Sequence, residues 1–141
     1  MAGAGTLTRR LCTLEHSGPK LLDFLAPERL TVNYTAVPNA GVSIIDFRFR
    51  LRNAPDRASF ISTLATAIKD GDLAGLYGLE TADRGPESYI GSIYSAVLVA
   101  DHIRIVGDSV YLQGYFDTEN SVNRLYDLVQ YIATQTHFAA G

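Results

Sequence analysis

A single cysteine, Cys12, stands in a chain of 141 residues. One cysteine excludes an internal disulfide framework and fits a reducing, intracellular compartment. No apolar run approaches the roughly 18–20 residues needed to cross a bilayer, so any membrane association would be indirect. Charge is scarce too: 19% of residues are charged and the net charge is −3, which leaves no electrostatic reason to expect nucleic acid. Internal repeats, low-complexity segments and domain linkers are missing as well. What remains, with 47% apolar residues, is the composition of one globular domain large enough to bury a core without metals or disulfides.

The clearest pattern runs through Val37–Arg52, VPNAGVSIIDFRFRLR. It opens with the turn Pro38-Asn39-Ala40-Gly41 and then alternates. Ser43, Ile45, Phe47, Phe49 and Leu51 fall on one face, and Asp46, Arg48, Arg50 and Arg52 on the other, the period of two of a half-buried strand. Leu30–Val37 also alternates and is expected to pair with it across the turn. Asp56 is placed to cap a helix in which Phe60, Ile61, Leu64, Ala65 and Ile68 recur at three and four residues, closed by Gly71-Asp72.

Further along, Leu76–Leu79, Ser95–Ala100, His102–Val106 and Ser109–Phe116 read as strands, the last two joined by a tight Gly107-Asp108 turn. A final helix from Asn120-Ser121 carries the stripe Val122, Leu125, Leu128, Val129 and Ile132. Near the start, Ser17-Gly18-Pro19 reads as the opening of a short helix that Pro27 ends. The reading is therefore an α+β fold, with a mixed, mostly antiparallel sheet covered by helices on one face. Its parts are a flexible or docking segment over 1–16, one domain over 17–136 and a tail over 137–141. The first fourteen residues contain Arg9 and Arg10 and no acid, echoing an organellar targeting peptide. The compartment thus stays open between the cytoplasm and the mitochondrial matrix side.

Few side chains promise chemistry. Cys12 and His16 are four apart with Glu15 between them, the spacing of a helical dyad, but no third orienting group or oxyanion site accompanies them. Two such ligands are also too few for structural zinc. His102 stands at a strand junction, where a structural or solvated role is the ordinary expectation. Asp117 and Glu119 are better placed to cap the last helix or bind backbone amides than to act as paired carboxylates. Arg48, Arg50 and Arg52 form a ladder of cations that repel one another unless water, acids or an anionic partner face them. Tyrosines are numerous, and Tyr111 and Tyr115, on the face away from the helices, could add an aromatic contact patch. Arg48, Arg50, Arg52, Tyr111 and Tyr115 are accordingly the candidate protein interface.

The run VPNAGVSIIDFRFRL, the helix after Asp56, DGDLAGLYGLET and QGYFDTENSVNRLYDLV together resemble the second half of the catalytic domain of glyceraldehyde-3-phosphate dehydrogenase. That family shows, in the same order, a VP turn, a V-S-V-V-D strand, a helix, a G-P-L-K-G-I-L-G-Y-T-E segment and a closing Y-D-N-E…N-R-V-x-D-L. Ser17-Gly18 resembles a threonine-glycine pair that opens a helix there, so the likeness extends over residues 9–135. The chain departs from the family where the chemistry lies. It has no G-x-G-x-x-G after a strand to hold NAD, and Gly3 and Gly5 are no substitute. The family's S-C-T-T-N nucleophile and its downstream histidine have no counterpart, Cys12-Thr13 falling where the family has ordinary helix. Ala36 replaces the arginine before V-P that helps bind substrate phosphate, and Thr118 replaces the asparagine that contacts the nicotinamide.

The resemblance thus implies a degenerate, truncated dehydrogenase domain: no enzyme, no cofactor, and a structural or accessory subunit of a larger complex. The corresponding sheet face packs against other subunits in the family, which implies self-association or docking through that face. Two other readings stay open, one half of a split NAD-dependent dehydrogenase and a regulatory module that binds a true dehydrogenase.

Overall fold

The computed structural model describes residues 8–37 and 42–138. The chain divides into two compact units, Met1–Ala40 and Gly41–Gly141. The turn at Pro38–Gly41 lies outside the described residues.

The first unit contains strand β1 (Thr8–Arg10), helix α1 (Leu14–Leu21), a 3-10 turn at Pro27–Arg29 and strand β2 (Tyr34–Ala36). β1 and β2 pair antiparallel, with Arg9 opposite Thr35. Residues 8–10, within the segment expected to be flexible or docking, form a strand. Helix α1 starts three residues before Ser17, because the Ser17 hydroxyl turns back to the Thr13 carbonyl at 3.1 Å instead of capping forward. Ser17-Gly18 is consequently mid-helix. A Cβ on buried Gly18 would come within 2.8 Å of Leu30 Cδ2, so a larger residue here would require the Leu30 side chain to shift.

The second unit is α+β. Its elements are β3 (Ser43–Arg50), α2 (Arg57–Asp70), β4 (Tyr77–Glu80), β5 (Ala96–Val99), β6 (Arg104–Val106), β7 (Ser109–Phe116) and α3 (Glu119–Phe138). The sheet runs β3-β7-β5-β4, with β6 also beside β7. Every pairing is antiparallel except β4 with β5. The expected pairing of Leu30–Val37 with the arginine-bearing strand does not form. That strand instead zips along all eight residues of β7, Phe47 opposite Leu112 and Phe49 opposite Val110. Two long strands of matching alternation bury more than the three-residue β2 could offer.

Both faces of this sheet carry a core. On the inner face α2 lays Phe60, Ile61 and Leu64 over Ile103, Val110 and Leu112, with Phe47 and Leu51 of the β3 region beside them. Asp56 caps α2, its Oδ1 accepting from Ser59 N at 2.9 Å, as the sequence implies. On the outer face the connection from β4 to β5, which includes a 3-10 turn at Pro86–Tyr89, brings Tyr89 against Val97, Val99 and Tyr115. Ala96–Val99 is buried at all four positions because β5 has cover on both sides. Gly107, with φ +60°, makes the two-residue turn between β6 and β7.

Helix α3 begins at Glu119, one residue before the expected start, and runs to Phe138, two residues into the tail expected over 137–141. Its apolar stripe does not cover the sheet: Leu125, Leu128 and Val129 remain 62%, 52% and 55% exposed. On the inner face the helical cover therefore comes from α2.

Candidate protein interface

Alternation along β3 turns Ile44, Asp46, Arg48 and Arg50 to the outer face. Register then places Arg48 opposite Tyr111, and Tyr111 opposite Arg104 of β6. One row across three strands thus reads arginine, tyrosine, arginine. The Arg48 guanidinium carbon lies 5.9 Å from the Tyr111 ring centroid, a cation–π contact at an exposed site.

The expected repulsion along the arginine ladder is relieved locally. Arg48 donates from Nη2 and Nε to the two carboxylate oxygens of Asp46, at 2.9 and 3.4 Å. That hydrogen bond, with the charge of Asp46, holds the guanidinium above its ordinary pKa. Arg50 Nε lies 3.7 Å from Asp108 Oδ2. Both pairs are exposed, so they orient the side chains more than they stabilise the fold. Arg52 leaves the ladder, because β3 ends at Arg50 and the chain bends there. No acid lies within ion-pair distance of Arg104 among the described residues. The sequence reads His102–Val106 as a strand, and only the register with Tyr111 puts Arg104 in this row. Asp46, Arg48, Asp101, His102, Arg104 and Tyr111 line a groove of 520 Å³ on this face. Cation, π-face and carboxylates side by side suit the rim of a mixed polar protein contact.

Tyr115 shares the outer face but not the groove. It is 7% exposed, and its ring stacks on Tyr89 with centroids 4.8 Å apart. Its hydroxyl donates to Asp83 Oδ2 at 2.8 Å. Burial, reinforced by that carboxylate, pushes the Tyr115 pKa up to about 12. Tyr115 is therefore a core residue, not part of a contact patch, because the Tyr89 connection closes over it. Asp83 was not singled out by the sequence, where it lies in an ordinary loop. It accepts from Gly85 N at 2.7 Å and from Tyr115, and both bonds hold its pKa below the usual carboxylate value. His102 Nε2 approaches the same carboxylate at 3.4 Å, so this histidine sits where the groove meets the outer core.

The remaining pairs of reactive type are engaged elsewhere. His16 Nε2 contacts Lys20 Nζ at 2.8 Å, and Glu15 Oε1 accepts from Val32 N at 2.6 Å, so the Cys12–His16 dyad does not assemble. Cys12 precedes α1 and shares no helix face with His16. Asp117 accepts from the backbone N–H of Gly91 at 2.7 Å and of Thr118 at 2.7 Å, which lowers its pKa and ties the head of α3 to the β4–β5 connection. Among the described residues no group of three or more His, Cys, Asp or Glu could hold a metal ion, and no helix is long and apolar enough to cross a membrane. No family model matches the chain, and no curated protein matches it.

Proposed function

We propose that this chain is a non-catalytic structural or accessory subunit of a larger protein assembly, built on a scaffold derived from the glyceraldehyde-3-phosphate dehydrogenase catalytic domain. The observation that carries the reading is α3, a helix of 20 residues with Val122, Leu125, Leu128 and Val129 between 52% and 68% exposed. An apolar stripe of this length is ordinarily covered by another protein surface. Ala36 and Thr118, in place of the family's phosphate- and nicotinamide-binding side chains, support a role without chemistry.

The test is native capture of the full chain from its source cell, with the stoichiometry of copurifying proteins measured by mass spectrometry. A defined assembly holding this chain in fixed ratio is expected, and Leu125→Glu with Val129→Glu should release the chain from it. A single partner carrying a glycine-rich NAD turn and a nucleophilic cysteine would overturn the reading in favour of a split dehydrogenase. Reduction of NAD by the reconstituted pair would then be assayed. Capture of an intact dehydrogenase tetramer would instead point to a regulatory module.

A further inference from the structure

Strand β3 is an edge of its sheet: β7 pairs along one side, and among the described residues no strand pairs along the other. Leu51 N donates to Asp108 O at 2.9 Å, which sets the phase of the ladder. Hydrogen-bonded residues alternate in an antiparallel pair, so Phe49, Phe47 and Ile45 direct their main-chain groups to β7. Ile44, Asp46, Arg48 and Arg50 direct theirs to the open edge. Long edges with such unmet groups are templates for another strand.

From this edge we infer that the chain forms a symmetric dimer by antiparallel pairing of β3 with β3 of a second copy. The sequence of the edge is complementary to itself in one register. With the two-fold axis at Phe47, Asp46 of each copy lies opposite Arg48 of the other, and both occupy hydrogen-bonded positions. Phe47 then faces Phe47 in a non-hydrogen-bonded pair, where side chains are closest. Ile45 faces Phe49, continuing the apolar inner face across the junction. Moving the axis one residue either way sets Asp46 against Asp46 or Arg48 against Arg48. The Asp46–Arg48 pair that now closes within the strand of each copy would be exchanged, two for two, for pairs between the strands. The inference stands apart from the dehydrogenase resemblance and does not use α3, although Asp46 and Arg48 also line the groove.

Sedimentation velocity of the full chain across a concentration series tests it, with circular dichroism confirming the fold of each variant. A concentration-dependent dimer is expected. Asp46→Arg and Arg48→Asp should each weaken it by roughly tenfold or more, since two attractive cross-strand pairs become repulsive. Mixing these two variants should restore dimerisation as a heterodimer, because each arginine then meets an aspartate. The double exchange, Asp46→Arg with Arg48→Asp, should restore the homodimer. A chain that stays monomeric throughout, or a dimer indifferent to both single exchanges, would overturn the proposal.

Discussion

Tyr115 Oη and Asp83 Oδ2 lie 2.8 Å apart and join the end of β7 to the connection between β4 and β5. The bond explains why a face expected to be open is closed at one end. Tyr115→Phe should cost about 1–2 kcal/mol in denaturant unfolding near neutral pH, the worth of a hydrogen bond to a partly exposed carboxylate. The pH dependence has a definite sign. A tyrosine pKa raised to about 12 means that the folded chain keeps a proton which the unfolded chain loses above about pH 10. Stability from this residue is therefore full below that pH and falls as pH climbs towards 12. The phenylalanine variant should lack this fall, and parallel alkaline curves for the two proteins would contradict it.

Gly114 is expected to be the least replaceable glycine of the sheet. A Cβ there would lie 2.6 Å from the Val97 carbonyl oxygen, which is backbone and cannot rotate away. Gly114→Ala should destabilise by about 1–3 kcal/mol through displacement of β5, read as a lowered Tm. A change below about 0.5 kcal/mol would show that β5 and β7 can separate without cost.

Arg57 spans from the first turn of α2 to the carbonyl oxygens of Ala100 and Ile103, donating at 2.7 and 2.8 Å. Lysine, with a single ammonium, cannot reproduce this fork. Arg57→Lys should therefore destabilise by about 1–2 kcal/mol. If lysine matched the wild type in a denaturant titration, the two carbonyls would have to find other donors.

Asp56 caps the same helix, and its bonds to the Ser59 hydroxyl and amide hold its pKa below the ordinary value. Asp56→Ala should lower the urea midpoint at neutral pH through loss of the cap. The stability supplied by a depressed carboxylate is present above its unfolded pKa and lost as pH falls through the folded one, so the gap between variant and wild type should narrow below about pH 4. Urea titrations at pH 7 and pH 3 make the comparison.

Much of the second unit was legible because its signals are local. The cap at Asp56, the Gly107-Asp108 turn and the alternation of Ser43–Arg50 each depend on neighbours a few residues away, and all three appear in the structure. The partner of β3 is β7 and not Leu30–Val37, because pairing is decided by which distant strand best matches its alternation. The interface candidates divided in the same way. Arg48, Arg50 and Tyr111 kept the outer face, Arg52 fell past the end of the strand, and Tyr115 was covered by a connection with no periodicity to announce it.

The sequence by itself determined the α+β class, the positions of α2 and of the long strands, and the row Asp46, Arg48, Arg50 on one face of β3. Periodicity and capping are properties of short segments, and they act before the chain has closed on itself. Only the tertiary structure decided that Arg104, Tyr111 and Arg48 form one row, that Asp83 receives the Tyr115 hydroxyl, and that α3 keeps its apolar stripe exposed. Each of these joins residues far apart in the chain, or depends on what fails to pack against a helix. Such outcomes follow from strand register and competition for the core, which no local pattern encodes.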